Sequence, residues 1–302
     1  MLVTPQAEVQ RRCWICGSAR LIPVKASDVA GRQLSPEDFA ITDRRYGVTA
    51  AIDRCGECGF LQCTDADEVL GFYSDLNDKA YDEGRSQRAL QARRLVETIR
   101  RFAPGGTLLD IGAGSGILVE EATLGGFRAE GIEPSARLAE AATRRGLAVH
   151  RGTLPHPSVS DKRYDVVSLV DVIEHVPDPV DLLRQAAAVM APGGVGIVVT
   201  PDVRSVMARI MGRRWWHYRI AHIGYFSRAT LTLALRQAGL RVVAFGRPRW
   251  YFNGDYLGER LVSYFPAPIS RMKFAWAKSI TIPLDLRDSM YMVFARTERP
   301  KQ

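Results

Sequence analysis

The feature that most constrains the fold is a glycine-rich segment at residues 108–116, LLDIGAGSG. Apolar residues lead into an aspartate, three glycines follow at alternate positions, and an apolar run begins directly after them. Glycine lets the backbone turn sharply and lets a ligand approach the first turn of the following helix. The spacing is G-x-G-x-G, whereas dinucleotide-binding enzymes carry G-x-G-x-x-G. The segment therefore predicts a nucleotide-binding strand, turn and helix.

A series of strands and helices is predicted around this segment. The strand at 128–132 ends at Glu133-Pro134, where a carboxylate can accept hydrogen bonds from both ribose hydroxyls of a nucleotide. The apolar run 164–170 is typical of a strand buried on both faces of a parallel sheet, and it leads into Asp171 and Glu174-His175. The other strands are predicted at 107–111, 147–150, 194–200, 241–246 and 289–297, and helices at 116–125, 135–145, 179–190 and 228–238.

The order of these motifs, with E-H-V and P-G-G after the strand at 164–170, resembles the class I S-adenosylmethionine-dependent methyltransferases. The resemblance covers residues 105–247 and resumes near the C-terminus. It implies an α/β protein with a Rossmann-like, doubly wound sheet of seven strands, the last antiparallel, and S-adenosylmethionine as the cofactor. The alternative is a generic Rossmann-like enzyme. The cofactor-binding residues that the resemblance implies are Asp110, Gly112, Ala113, Gly114, Gly116, Glu133, Pro134 and Asp171.

Four of the five cysteines form two C-x-x-C pairs, Cys13 with Cys16 and Cys55 with Cys58, each followed by a glycine. This is the form of a zinc knuckle, and four thiolates at such spacing suit tetrahedral Zn²⁺. Disulfides are disfavoured in a cytosolic chain, and two separate redox motifs would be unusual. We therefore predict a zinc-ribbon domain over residues 1–64, with Cys63 as a spare buried thiol. Together with the methyltransferase motifs, it resembles a bacterial group whose relatives act in sugar, polysaccharide and secondary-metabolite pathways.

The rest of the chain is predicted to divide into a connecting segment and a catalytic domain. Residues 65–104 are predicted as a helical bridge, because apolar residues recur at helical spacing within 89–102. Residues 105–302 are predicted as the methyltransferase domain, with an aromatic-rich helical cap inserted at 248–286. The sequence shows neither an apolar run long enough to span a membrane nor a signal peptide, so a cytoplasmic protein is expected.

Two segments offer catalytic residues. Asp171-x-x-Glu174-His175 resembles the E-x-x-E-H of ubiquinone-biosynthesis O-methyltransferases, which is linked there to a divalent cation. These side chains could hold Mg²⁺, His175 could act as a general base, or Glu174-His175 could stabilise the turn after its strand. The second segment fits a W…H…F-S pattern that lines the acceptor pocket in relatives, although His222 could instead form a helix-entry hydrogen bond. The residues that fit are Trp216, His222, Phe226 and Ser227. The predicted catalytic residues are His175, Glu174 and His222.

The formal net charge of +8 is concentrated in residues 201–250, which contain ten arginines and one acidic residue, Asp202. Such a stretch indicates an anionic substrate, a membrane contact or a solvated arginine-rich surface. We expect methylation, at oxygen, of a small or carrier-linked anionic metabolite such as an activated sugar, with peripheral membrane contact through 204–225 as a further expectation. An RNA methyltransferase is one alternative, although the strand at 164–170 lacks the N/D-P-P-[YF] ending of many base-amino methyltransferases. The other is a non-catalytic scaffold protein that binds S-adenosylmethionine.

Overall fold

A seven-stranded sheet lies at the centre of the computed structural model, which describes residues 11–35, 38, 46–63, 84–262, 265–266 and 272–297. Numbered along the chain, its strands are β4 (Gly106–Ile111), β5 (Phe127–Glu133), β6 (Val149–Arg151), β7 (Tyr164–Val170), β8 (Met190–Pro201), β10 (Leu240–Gly246) and β13 (Ser289–Arg296). They lie in the order β10-β13-β8-β7-β4-β5-β6. Strand β13 is antiparallel to both neighbours, and the pairs from β8 to β6 are parallel. The predicted doubly wound sheet is confirmed.

Helices pack beside this sheet, and most of them lie where the sequence predicts a helix. They are α1 (Arg85–Ile99), α2 (Ile117–Leu124), α3 (Ala136–Arg144), α4 (Pro157–Ser160), α5 (Pro179–Val189), α6 (Val206–Met211), α7 (Arg228–Gln237) and α8 (Gly254–Val262). The short helices α4 and α6 were not predicted, because four to six residues carry too little helical periodicity. Within the part of the chain that the structure describes, none of the helices has both the length and the apolar character that a membrane span requires.

The two faces of the sheet pack against different helices. Val166 belongs to an apolar cluster with residues of α1 and α2, whereas the next residue, Val167, belongs to one with residues of α5 and α7. Both side chains are completely buried. Because successive side chains of a strand point to opposite faces, a strand covered on both sides carries apolar residues at consecutive positions. This explains the mainly apolar sequence of β7, in which the buried Ser168 forms a hydrogen bond with Asp110.

The N-terminal strands form a second sheet that includes a segment from the far half of the chain. Strands β1 (Leu21–Lys25), β2 (Ile52–Cys55) and β3 (Leu61–Cys63) are antiparallel neighbours, and β9 (Gly224–Tyr225) pairs with β3 at the end of the row. The predicted ribbon therefore shares its sheet with a segment of the predicted methyltransferase domain. Residues 65–83 of the predicted bridge lie outside the described residues, and the domain boundaries stay a prediction.

The segment predicted as a helical cap has a mixed structure, so that prediction was wrong in part. Strands β11 (Trp250–Asn253) and β12 (Thr281–Leu284) form an antiparallel pair, and α8 follows β11 directly. Aromatic and β-branched side chains favour strands, and the four residues of β11 include three aromatic ones. The richness in aromatic residues that suggested a cap therefore also favoured a short sheet.

Candidate active site

A cavity of about 1400 Å³ opens at the carboxyl ends of β4, β5 and β7, where open α/β sheets bind their ligands. The wall of the cavity is formed by the loops after these strands, by the segment between α6 and β9, and by the cap. The cavity brings together ten of the predicted site residues: Asp110, Gly112, Ala113, Gly114, Glu133, Pro134, Asp171, Glu174, His175 and His222. Of the residues predicted to line the acceptor pocket, Trp216 and His222 do so, whereas Phe226 is buried in the core and Ser227 caps α7.

The glycine-rich segment forms a tight turn between β4 and α2. Gly112, Gly114 and Gly116 have φ angles of 75°, 55° and 76°, in a region that residues with a side chain rarely adopt. A Cβ on Gly112 would overlap Val172, and one on Gly116 would lie 2.7 Å from Leu147. Gly116 is not among the residues that line the cavity, and its role in cofactor binding stays a prediction.

Two buried carboxyl groups stand beside this turn. The hydroxyl of Ser168 donates to Oδ1 of Asp110 over 2.7 Å. The backbone N–H of Gly114 donates to Oε2 of Glu133 over 2.7 Å, and the N–H of Ser135 donates to Oε1 over 2.8 Å. Through these hydrogen bonds, Glu133 connects the glycine-rich turn to the end of β5.

The electrostatics of these carboxyl groups favour a cationic ligand. Burial, with a contribution from the charge of Glu133, raises the pKa of Asp110 to about 7, and burial also raises the pKa of Glu133. A nearby positive charge would offset this effect and favour both ionised forms. S-adenosylmethionine carries sulfonium and ammonium charges together with ribose hydroxyls, so the two carboxyl groups fit this cofactor.

A single turn of 3₁₀ helix (Ile173–His175) after β7 presents Glu174 and His175 to the cavity. The Thr200 hydroxyl donates to Oε2 of Glu174 over 2.8 Å, while burial and the charge of Asp171 raise the pKa of Glu174 well above its usual value. Nδ1–H of His175 donates to the carbonyl of Ala221 over 2.6 Å, and burial lowers the pKa of His175 to about 4. His175 is therefore uncharged at neutral pH, and the surroundings of Glu174 favour its protonated form.

His222 lies against this turn from the segment between α6 and β9. Its ring meets the ring of His175 edge-on, with centroids 4.7 Å apart, and burial lowers the pKa of His222 well below its usual value. One ligand atom from each of Glu174, His175 and His222 lies within 4.8 Å of the others. Mg²⁺ prefers oxygen ligands and bound waters, so a buried set with two imidazoles does not fit it. Asp171 of the predicted Mg²⁺ set is not part of this group among the described residues, so the structure does not assemble the predicted ligands.

The structure adds a third imidazole, which the sequence analysis missed. Nε2 of His217 lies 3.2 Å from Oδ2 of Asp288, and the indole N–H of Trp216 donates to the same oxygen over 2.7 Å. Burial alone would raise the pKa of Asp288, but these two hydrogen bonds hold it below its usual value. The His217 ring stacks on that of His222, with centroids 5.7 Å apart. An imidazole held by an ionised carboxylate can accept a proton from a substrate.

Asp171 occupies a special backbone position at the end of β7. Its φ angle of 53° is in the left-handed region, which few residues other than glycine adopt. Desolvation by the surrounding cavity walls raises the pKa of Asp171 to about 6, although the nearby His217 and Arg219 lower it. Its side chain is open to the cavity. Backbone strain of this kind concentrates at functional sites, which supports the predicted role of Asp171 in the site.

The arginine-rich stretch faces the cavity only in part. Three of its ten arginines, Arg219, Arg247 and Arg249, line the cavity. Arg247 is already paired with Asp202, whose Oδ2 lies 2.7 Å from the guanidinium. Val206 and Ile210 of α6 are exposed beside other arginines of the stretch. The predicted membrane contact stays a prediction.

The four cysteines of the two C-x-x-C pairs meet in one cluster. Their sulfur atoms all lie within 4.8 Å of one another, with 3.5 Å between Cys13 and Cys58 and between Cys16 and Cys55. Tetrahedral Zn²⁺ with bonds of about 2.3 Å requires sulfur–sulfur distances of about 3.8 Å, so this donor set fits zinc. Cys63 is buried outside the cluster, as predicted.

Comparisons with known proteins agree with this geometry. The model of the family described as "Methyltransferase domain" matches residues 84–244, more than half of the chain. The ubiquinone biosynthesis O-methyltransferase of Methylobacterium nodulans is 35% identical over 150 residues, which cover 45% of this chain and 60% of that protein. That of Serratia proteamaculans is 33% identical over 95 residues, which cover 29% of this chain and 39% of that protein. The chain thus spans between 39% and 60% of the length of these two relatives.

A solved structure shows the same fold. One chain of the complex between the Haloferax volcanii Trm112 methyltransferase activator and the putative methyltransferase superposes with a TM-score of 0.52 at 18% identity. The match covers 74% of this chain and 96% of that one. With the family match, the seven-stranded sheet and the carboxyl groups beside the glycine-rich turn, the chain belongs to the class I S-adenosylmethionine-dependent methyltransferases.

Proposed function

We propose that the protein transfers the methyl group of S-adenosylmethionine to an oxygen atom of a small or carrier-linked metabolite. The observation that carries this proposal is a single cavity that joins the cofactor carboxyl groups Asp110 and Glu133 to a wall of three histidines, His175, His217 and His222. Methyl transfer is an in-line displacement, so an enzyme contributes chiefly by holding the two reactants together and excluding water. One cavity with both kinds of wall meets that requirement.

The cofactor half of the cavity would hold S-adenosylmethionine through named groups. Glu133 would accept hydrogen bonds from the ribose, Asp110 would face the positive charge, and the turn at Gly112–Gly114 would allow close approach of the backbone. The bound cofactor supplies an activated methyl group. In the other half, a hydroxyl acceptor must lose a proton as it is methylated. His175, His217 and His222 are the groups in this wall that can accept that proton. Glu174, the remaining predicted catalytic residue, lies in the same wall, and burial favours its protonated form.

An anionic acceptor, such as an activated sugar or a polysaccharide or natural-product precursor, is the substrate class we propose. Arg219 and Arg249 reach the cavity from the basic stretch, and the guanidinium of Arg219 is close enough to lower the pKa of Asp171. Guanidinium groups bind phosphate and carboxylate in a bidentate manner. Phe252 and Tyr256 in the cap stack with centroids 5.6 Å apart, and this pair offers a flat apolar surface to a ring.

The direct test is transfer of labelled methyl from S-adenosylmethionine to a panel of acceptors, beginning with nucleotide sugars. We expect Arg219→Glu to raise the KM of an anionic acceptor at least about tenfold, because a bidentate contact becomes a repulsion. The affinity for S-adenosylhomocysteine should stay unchanged. The control is Arg209→Glu, an exposed arginine of the same stretch outside the cavity.

Three outcomes would redirect the proposal. If Arg219→Glu and Arg209→Glu leave KM equally unchanged, the acceptor is not held by its negative charge. Labelled transfer to RNA, with binding that weakens steeply as salt rises, would favour the RNA methyltransferase alternative. Tight cofactor binding without transfer to any acceptor would favour the scaffold alternative.

We also propose that the cysteine cluster holds one structural Zn²⁺. The closed set of four sulfurs leaves no position for a substrate, and a reducing compartment such as the cytoplasm would keep the thiols available. Elemental analysis should find one zinc per chain in the wild type and in Cys63→Ser, whose thiol lies outside the cluster. Cys55→Ser should lose most of its zinc and unfold at a lower temperature, since zinc binding contributes on the order of 10 kcal/mol to folding. An equal zinc content in both variants would contradict the proposal.

A further inference from the structure

Strand β3 lies between the cysteine cluster and the acceptor side of the cavity. On one edge it pairs with β2, which ends at Cys55, and Arg54 lies opposite Leu61. On the other edge it pairs with β9, where Gln62 lies opposite Gly224. Strand β9 begins two residues after His222. A strand three residues long therefore joins a metal-binding cluster to a segment that lines the cavity.

The side chain of Gln62 attaches this strand to the first cysteine pair. It is completely buried. Its Oε1 accepts the N–H of Trp14 over 2.9 Å, and its Nε2 donates to the carbonyl of Arg12 over 2.9 Å. These two residues flank Cys13. Because a buried amide that loses its partners is costly, Gln62 fixes the backbone around Cys13 relative to β3.

The opposite edge of β3 holds the acceptor wall by a short series of hydrogen bonds. The N–H of Cys63 donates to the carbonyl of Ile223 over 2.8 Å, and the N–H of Ile223 donates to the carbonyl of Glu174 over 2.9 Å. The ring of His175 donates to Ala221 in the same segment. Residues 221–223 are thus held between β3 and the turn that carries Glu174 and His175.

Aromatic packing reinforces the same connection. Phe60, two residues after Cys58, is completely buried. Its ring centroid lies 4.9 Å from that of Phe226 and 6.4 Å from that of Trp14. A Cβ on Gly224 would approach the Phe60 ring to 3.2 Å, so β9 lies close against this side chain. The cysteine cluster and the acceptor wall therefore share one small core.

The cofactor carboxyl groups are anchored elsewhere. Asp110 is bonded to Ser168 on β7, and Glu133 is bonded to Gly114 and Ser135. All of these residues lie on strands of the central sheet or in the turns that follow them. None of these three hydrogen bonds involves β3.

We infer that the N-terminal ribbon is a positioning element of the acceptor site, with Gln62 as a residue that couples the cysteine cluster to residues 221–223. The expected fall in kcat rests on the proposed methyl transfer, whereas the expected change in amide hydrogen exchange does not. Loss of the coupling, by substitution of Gln62 or by removal of the metal, disorders the acceptor wall and leaves cofactor binding intact.

The test compares Gln62→Leu, which keeps similar bulk without the two hydrogen bonds, with Thr49→Val. Thr49 is also completely buried in the N-terminal region, and its hydroxyl accepts a hydrogen bond from Lys25 of β1. We expect Gln62→Leu to speed amide hydrogen exchange across 217–226 at least about tenfold, and Thr49→Val to leave it unchanged. The affinity for S-adenosylhomocysteine should stay within about twofold of wild type in both. With an acceptor, kcat should fall about 10- to 100-fold in Gln62→Leu only.

Chelation of the wild-type metal supplies a second route to the same state. Chelation should speed amide hydrogen exchange across residues 217–226 while S-adenosylhomocysteine still binds. If Gln62→Leu does not fold, chelation serves as the test in its place. Unchanged exchange after both treatments would overturn the inference. Parallel loss of S-adenosylhomocysteine binding would overturn it too, since the ribbon would then support the whole fold. If no acceptor is methylated but exchange responds as expected, the proposed function fails and the coupling stands.

Discussion

Replacement of Glu133 by alanine is expected to weaken the binding of S-adenosylmethionine and S-adenosylhomocysteine by about 100-fold or more. The Glu133 carboxylate would accept both ribose hydroxyls, and in the structure it also holds the N–H groups of Gly114 and Ser135. A hydrogen bond to a charged group contributes about 1.5–3 kcal/mol, and each 1.4 kcal/mol corresponds to tenfold in affinity. Calorimetric titration with both ligands measures the effect.

Two further variants separate a binding role from general damage. Glu130→Gln changes a carboxylate on the same strand outside the cavity, where it is paired with His150 and Lys162, and it should bind S-adenosylhomocysteine like the wild type. Glu133→Gln keeps the size of the side chain and removes its charge. Wild-type affinity in Glu133→Ala would show that the cofactor is held elsewhere.

The pH dependence of stability gives an independent check on Glu133. Burial raises the pKa of Glu133, so the folded protein holds this proton more tightly than the unfolded chain does. Above the usual pKa of glutamate the ionised group therefore costs stability, and that cost grows until the pH passes the folded-state pKa. As the pH rises from about 4 to 8, the wild type should therefore lose thermal stability relative to Glu133→Gln, which has no charge to bury. The comparison uses the change with pH, because glutamine also loses one of the two accepted hydrogen bonds at every pH. A role in binding, rather than in folding, explains why the residue is charged.

The cofactor half of the site could be predicted from sequence because its geometry is local. The turn after β4 is set by glycines within a few residues, and Glu133 ends the strand beside it. The apolar run of β7 identified a buried parallel strand for the same reason. Gly116 shows the limit of such reasoning, since close packing against Leu147 requires a glycine there whether or not a ligand approaches.

The acceptor half could not be predicted because it depends on contacts between distant residues. His217 and Asp288 are 71 positions apart, and neither has a local pattern that indicates the other. Strand β9 is two residues long, too short for any periodicity, yet it brings the ribbon to the acceptor wall. The aromatic residues of the cap indicated burial but not whether the backbone would form a helix or a strand.

The second large effect is expected from His217→Asn, which should lower kcat for a hydroxyl acceptor by about 100- to 10,000-fold, the range that general acid–base catalysis contributes. Among the three histidines in the wall, His217 is the one whose ring nitrogen lies within hydrogen-bond distance of a carboxylate, that of Asp288, in the described part of the chain. The buried carboxylate of Asp288 holds this nitrogen and fixes the orientation of the ring. Burial lowers the pKa of His175 to about 4, and a base of that strength takes a proton poorly at neutral pH.

Asp288→Asn should lower kcat in the same direction, since it removes the charge while preserving the shape of the pair. Affinity for S-adenosylhomocysteine should remain within about twofold of wild type in both variants, because neither residue touches the cofactor carboxyl groups. His150→Asn is the control: Nε2 of His150 lies 2.9 Å from Oε2 of Glu130 in a comparable pair outside the cavity, and its loss should leave kcat unchanged. If His217→Asn and His150→Asn turn over the acceptor at equal rates, the proton leaves through His175, His222 or solvent. In that case His217 and Asp288 serve only to hold the segment that carries Trp216.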